Sequence, residues 1–335
     1  MAVQFLENPR EMDFARIADL LAGFGPVRGK PDAARTEAAF LHSTGVFAAK
    51  DQENYVAAGR VLSDRHAWTL ITDVAFLPEY SGIGGELLDN IKARYRGHEL
   101  FTWTDPQKIP FFEEHGFKRS KNSFTYAGPD EEALDPSLPL QSFYLPVGYR
   151  FESEFYPHPG RFPQGRKNPD RKAGFQPVFS RDCDGLDFTR LNELLTLAFG
   201  GHERDASVTR ETFRNSPYVE FAYDSGKLVG CGRAESDGIS QGFILNVAVN
   251  PDWQGLGLGW EVVRRLADQM KGQNIFLNTH PGGVGFYNRR GFRRNKTALL
   301  FPAHPDMPPD AAKGFVLPSG FRFPDEFETV QRKSV

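Results

Sequence analysis

The stretch Gln254 to Gly259, QGLGLG, sets three glycines at alternate positions between an apolar run, GFILNVAV, and a helical pattern. Residues without side chains let backbone N–H groups approach a ligand, and the first N–H groups of a helix have no partners inside it. Such a loop suits an anion, a pyrophosphate above all. Three kinds of cradle deserve comparison. A Walker loop needs Gly-Lys-Ser/Thr, a triplet absent from this chain. A dinucleotide fingerprint needs G-x-G-x-x-G directly after a strand, with an acidic residue about 20 positions on. Here Pro251 intervenes, the glycines run Gly255-x-Gly257-x-Gly259, and no carboxylate stands near position 280. The third form is Q-x-x-G-x-G, at Gln254, Gly257 and Gly259, ahead of Trp260, Val263, Leu266, Ala267 and Met270 at helical spacing. A tight strand-to-helix turn holding no ligand is the plainer use of the same glycines.

The elements that must position this loop are written twice. Shifted by 173 residues, GRVLSD (59–64) falls on GRAESD (232–237), and DVAFLPEYSGIG (73–84) falls on NVAVNPDWQGLG (246–257). At an offset of 175, LFTWTDPQKIPFFEEHGFKRS matches IFLNTHPGGVGFYNRRGFRRN. The tails match as well, LPVGYRFESEF (145–155) with LPSGFRFPDEF (317–327). A repeat of this length is two similar domains, 1–156 and 175–335, joined by a linker at 157–174 rich in Pro, Gly, Arg and Lys. The tails are expected either to pack each domain on the other or to close their own sheets.

In the second repeat a short strand at Val178–Ser180 precedes a helix with apolar residues at Phe188, Leu191, Leu194 and Leu195. A second helix (TRETFRNS), strands EFAYD and KLVGCGRAE, the strand GFILNVAV, the loop and its helix follow. A strand NIFLNT, a short helix GVGFYNRR and a final strand after GF complete the unit. Strands and helices are mixed, so the class is α+β or α/β.

At LNVAVNPDWQGLGLG and NTHPGGVGFYNRRGF the chain resembles the GNAT superfamily of N-acetyltransferases, and the likeness covers most of both halves. The resemblance implies two tandem GNAT domains and acetyl-CoA as cosubstrate. It implies that Gln254, Gly255, Leu256, Gly257, Leu258 and Gly259 hold the pyrophosphate. Backbone amides at Val247, Ala248 and Val249, on a strand splayed from its neighbour, would grip the pantetheine and polarise the thioester. Tyr287 would face the sulfur and protonate the departing thiolate, although a core aromatic with its hydroxyl at the surface is the commoner fate of a tyrosine. Asn278 and His280 border the same cleft. His280 is the one of the two that titrates near neutrality, and the general base stays open between it and a chain of water. The first repeat has Ser81 for Gln254, Glu86 for Gly259 and Phe112 for Tyr287. That repeat is expected to keep the fold and to have lost the transfer, since a carboxylate opposes a pyrophosphate and phenylalanine has no proton to give.

The reaction implied is acetyl, or short acyl, transfer to a primary amine of a small molecule; the alternative is a protein that binds and senses acyl-CoA without turnover. Glu220, Asp224 and Glu235 are candidates to attract a cationic amine, or are simply solvated. The net charge of −3 gives no pull toward nucleic acid or an anionic membrane, and no metal site is expected. The two cysteines are too few for a disulfide framework, and the N-terminal residues carry no signal-like apolar core. A cytoplasmic protein, monomer or homodimer, is the expectation.

Overall fold

The computed structural model describes residues 3–22, 32–127, 143–146, 149, 151, 175–199, 204–303, 315–318 and 320–323. The linker proposed at 157–174 lies outside them. The first half contributes β1 (Gln4–Leu6), α1 (Phe14–Ala22), α2 (Ala33–Leu41), β2 (Gly45–Asp51), β3 (Asn54–Ser63), β4 (Trp68–Phe76), α3 (Ser81–Arg94), β5 (Glu99–Trp103), α4 (Ile109–Glu114), β6 (Lys118–Arg119) and β7 (Ser123–Ala127). The second contributes β8 (Val178–Ser180), α5 (Phe188–Ala198), α6 (Ala206–Asn215), β9 (Tyr218–Asp224), β10 (Lys227–Ser236), β11 (Gln241–Val249), α7 (Leu258–Gln269), β12 (Asn274–Asn278), α8 (Val284–Asn288), β13 (Arg293–Arg294) and β14 (Ala298–Phe301). The mixed α+β class holds: within each sheet one pair, β4 with β5 or β11 with β12, is parallel, and the other pairs are antiparallel.

Local chemistry sets the helix starts. Asp187 caps α5 by accepting from the N–H groups of Thr189 and Arg190, and Asp205 does the same for α6 at Ser207 and Val208. The apolar spacing of α5 buries Phe188, Leu191, Leu194 and Leu195, as the sequence predicts. On α7 the buried face is Leu258, Val262, Val263 and Leu266, with Met270 just beyond. Trp260, read from the sequence as part of that stripe, is only half-buried and lies beneath the Arg290 guanidinium, 5.2 Å from its ring centre. Helices α5 and α6 pack on one face of the second sheet, with Phe221, Cys231 and Ala248. Helices α7 and α8 pack on the other, with Ile244 and Leu277.

The last strands are exchanged between the halves. The sheet orders are β1-β2-β3-β4-β5-β14-β6 and β13-β7-β12-β11-β10-β9-β8. Thus β14, which the sequence reading leaves in its own unit, pairs with β5 and β6, and β7 pairs with β12 and β13. The crossing segments are locked reciprocally. Arg119 Nη2 donates to the Lys296 carbonyl at 2.5 Å, and Arg294 Nε to the Lys121 carbonyl at 2.6 Å. The tails follow the same rule: Leu145 N–H bonds to the Arg294 carbonyl and Leu317 N–H to that of Arg119. Leu145, Phe151, Leu317 and Phe323 then form one apolar cluster, so the tails pack the halves together.

Between the two sheets lies a further core of Leu62, Leu70 and Phe101 from one half and Phe243, Leu245 and Phe276 from the other. Two buried ion pairs flank it. Arg60 Nη1 reaches Asp237 at 2.6 Å and Arg233 Nη2 reaches Asp64 at 2.7 Å, each across the interface. For Asp64, burial alone would raise the carboxyl, but Arg233 and three backbone N–H donors outweigh it and hold it below the usual value.

Candidate active site

Strand β11 pairs with β12 only from Gln241–Asn274 to Ile244–Leu277, yet it runs on to Val249. The two parallel strands therefore part over the segment that holds Val247, Ala248 and Val249. The parting begins at a bulge. Asn246 has φ of 52°, and the β10–β11 register slips between Cys231 and Arg233. The Asn246 side chain is fixed there, its Oδ1 accepting from Arg233 Nε at 2.7 Å.

Beyond the strand, Asn250 opens a short turn over Pro251–Trp253, and Gln254 folds back so that its Nε2 donates to the Val249 carbonyl at 3.2 Å. Gly255 and Gly257 follow at φ of 81° and 83°, a conformation that side-chain-bearing residues resist. A Cβ at either glycine would meet nothing within 4 Å, so the backbone, not crowding, requires glycine, and the front of the loop is open. Helix α7 starts at Leu258 directly behind this loop, with its first N–H groups at the loop. Leu258 contributes backbone only, since its side chain is buried against Gly230. Leu256 is half-buried in the α7 core cluster. Gly259 is helical, and a Cβ there would make ordinary contacts with Val249 and Phe286.

Tyr287 lies on the buried face of α8, in the same core cluster as Ile244 and Leu277. Its ring is held by Phe286 at 4.9 Å, Phe292 at 5.4 Å and Phe124 at 5.7 Å. Burial raises its hydroxyl well above the ordinary value, so it stays protonated at neutral pH. Phe124 comes from the exchanged strand β7, as does Ser123, whose Oγ donates to Asn278 Oδ1 at 3.2 Å. Asn278 is thus tied to the first half. His280 caps the turn at Pro281–Gly283, its Nδ1 accepting from Gly282 N–H at 3.2 Å, with its ring 5.5 Å from Phe315. That bond occupies one ring nitrogen. Among the described residues no group of three or more His, Cys, Asp or Glu is placed to hold a metal ion.

The family model for the acetyltransferase (GNAT) family matches residues 188–292, which span α5 to the end of α8. Serotonin N-acetyltransferase 2, chloroplastic, of Oryza sativa subsp. japonica is 33% identical over 126 residues, 36% of this chain and 62% of that protein. The chain thus spans less than two thirds of the rice protein. The uncharacterized N-acetyltransferase ycf52 of Pyropia yezoensis is 41% identical over 128 residues, 36% of this chain and 73% of that protein. The chain belongs to the GNAT family. Among solved structures, a tandem GNAT protein from the clavulanic acid biosynthesis pathway aligns with 91% of this chain and 99% of its own, at 15% identity and a TM-score of 0.48.

The first GNAT copy has no cradle, for a reason that the sequence did not show. Helix α3 starts at Ser81, the position of Gln254, so SGIGG is wound into the helix and none of its glycines has a positive φ. Gly84 and Gly85 are packing residues. A Cβ on Gly84 would come within 2.6 Å of the Phe76 ring, and one on Gly85 within 2.5 Å of His115 Nε2. Phe76, Phe111 and His115 follow one another as tilted rings, 4.5 Å between neighbouring centres, against the start of α3. Glu86 is merely exposed, and Phe112 is buried in the core.

The acidic candidates also move. Glu220 is fully buried, one oxygen bound by Arg181 and by Gln269 Nε2, and Asp224 accepts from Trp253 Nε1 at 2.8 Å. Glu235, read from the sequence as an amine-attracting or solvated carboxylate, is 7% exposed and lies near Asp64 and Arg65 at the interface between the halves. Alternation along β10 could have flagged it, since it shares a face with Arg233 and Cys231.

Proposed function

We propose that the second GNAT copy transfers an acetyl group from acetyl-CoA to a primary amine of a small molecule, and that the first copy does not. The observation that carries this reading is the contrast between the copies. Open left-handed glycines precede α7, whereas the same segment is helical and walled by aromatic rings in α3.

The residues present fit the cosubstrate. Unpaired N–H groups at the start of α7 would receive the pyrophosphate, and the β11 edge that faces away from β10 would receive the pantetheine. Donors from that edge to the carbonyl oxygen of the thioester would contribute roughly 3–4 kcal/mol each to the tetrahedral intermediate. Tyr287, held neutral, would supply a proton to the thiolate. The name of the rice relative makes serotonin the first amine to try.

Calorimetric titration of acetyl-CoA into the wild type and Gly259→Glu tests the reading. A Cβ at 259 makes only ordinary contacts with Val249 and Phe286, and glutamate adds a carboxylate in the first turn of α7; a thermal melt checks that the variant is folded. We expect one equivalent bound by the wild type and none by the variant; two equivalents, or none in either protein, would refute the assignment.

A further inference from the structure

An amine acceptor is an ammonium ion at neutral pH and must lose a proton before it can attack. Comparison of the copies shows an acid that only the open half possesses. At an offset of 173, Arg60 matches Arg233, Asp64 matches Asp237, Asp73 matches Asn246 and Leu62 matches Glu235. In the first half Arg60 meets Asp73 on β4 and Asp237 from across the interface. In the second half the amide of Asn246 replaces Asp73, and the second carboxylate stands on β10 instead, as Glu235.

Glu235 Oε1 accepts from Ser216 Oγ at 2.7 Å and from Arg233 Nη1 at 3.1 Å. Its Oε2 bonds to no described residue and is not sealed from water. Glu235 stands opposite Phe243 of the core between the halves, beside Ser216 at the end of α6. Val247 is about 13 Å further along the strand at ~3.3 Å per residue, so the proton path runs over two or more waters in series. The same guanidinium that holds Glu235 also holds Asn246 at the bulge where the strands part.

We propose that Glu235 is the proton acceptor of the second-half site, taking the ammonium proton of the acceptor through a chain of bridging waters at the seam between the halves. This rests on the reading of that half as an acetyl-CoA-dependent N-acetyltransferase. The ammonium N–H bond breaks, the proton passes through water to Glu235, and the electron pair stays on nitrogen. Nitrogen then bonds to the acetyl carbon, and the carbonyl π pair moves to oxygen. When the oxyanion collapses the C–S bond breaks, its pair leaves on sulfur, and the thiolate takes the Tyr287 proton. The surplus proton on the amide nitrogen returns to Tyr287, and Glu235 releases its own to solvent.

The electrostatics agree with this role. Burial pushes the Glu235 carboxyl up to about 7; Arg233 and the Ser216 hydrogen bond pull it down, Asp64 pushes it up, and Arg65 pulls it down. Further along the same seam His66 and Glu211 pair at 3.3 Å between the first half and α6. A base is most effective when its pKa lies near the working pH.

The test is Glu235→Gln, which keeps an oxygen for Ser216 and Arg233, with Glu235→Leu as the residue of the first copy. Acetyl-CoA affinity is measured by calorimetry, and thiol release against pH with serotonin, spermidine and glucosamine as probes. We expect affinity within about twofold of wild type and kcat lower by roughly 10²–10⁴. The acidic limb of kcat/KM, with a midpoint of about 7 in the wild type, should disappear. An intact limb in Glu235→Gln, or kcat within about threefold, overturns the assignment while leaving the transferase reading in place. Failure of the wild type to bind acetyl-CoA overturns both. An infrared titration needs no turnover: the protonated carboxyl band absent from Glu235→Gln should fade near pH 7 in the wild type. A Glu235 that stays in one form from about pH 5 to about pH 9 also overturns the assignment.

Discussion

Replacing Glu235 by Gln should stabilise the protein relative to wild type more at pH 8 than at pH 5. The folded state holds the Glu235 proton with a pKa of about 7 against an ordinary 4.5. A folded pKa above the unfolded one gives stability that is complete below the unfolded value and is lost as pH rises through the folded value. At about 1.4 kcal/mol per tenfold change in proton affinity, the full loss is about 3 kcal/mol, of which about 2–3 falls between pH 5 and pH 8. Glutamine keeps the volume and the accepting oxygen and has no proton to lose. Asp64→Asn provides the contrast. Its amide oxygen can still accept from the N–H groups of His66, Ala67 and Trp68, but Arg233 loses its closest buried carboxylate. Removing one partner of such a pair costs about 3–5 kcal/mol. Urea unfolding followed by tryptophan fluorescence at the two pH values reads both effects. If Glu235→Gln lost stability relative to wild type between pH 5 and pH 8, attraction to Arg233 rather than burial would govern the carboxyl, and this reasoning would be wrong.

Gly257→Ala should cost about 1–2 kcal/mol of stability from its left-handed φ and weaken acetyl-CoA binding, as thermal melts and calorimetry would show. Tyr287→Phe should leave the ring packed against Phe124 and Phe292 and the melting temperature unchanged, while thiol release falls by roughly 10²-fold. In the first half, Phe76→Ala with His115→Ala should create no acetyl-CoA site, because α3 would still start at Ser81; a second equivalent in calorimetry would contradict this. Residues 175–335 expressed alone should fail to give a soluble folded protein, and co-expression with 1–156 should restore one, since β12 needs β7; size-exclusion chromatography and circular dichroism decide.

The repeat, the helix and strand order and the glycine loop were legible because each rests on local spacing. Helix α5 follows from Leu191, Leu194 and Leu195, and the loop from glycines where only glycine tolerates the backbone. The strand exchange was not legible. Two copies of one fold offer nearly equivalent partners, so SFTYA and ALLF carry no pattern that says which sheet each joins. SGIGG reads like QGLGLG, yet it lies inside α3, where Gly84 and Gly85 make room for Phe76 and His115, residues from outside the motif. Glu235 sits among Ser236, Asp237 and Gly238, a polar run that looks like a turn at the surface. Its burial comes from the other half, which no local pattern encodes.

The strand exchange also orders events as the chain leaves the ribosome. Strand β7 ends at Ala127, but its partner residue on β12 is Asn274, so the strand waits for 147 residues before a neighbour exists. Strand β5 has β4 on one edge, but its other edge waits longer, since the residue opposite Leu100 there is Phe301. Until then both present bare N–H and C=O rows, the kind of edge that pairs with other chains. The first half therefore cannot finish folding before the second is made, although it comes first in sequence. Nor can a lineage discard the half without a cradle, because the strand beside Tyr287 and Asn278 would leave with it.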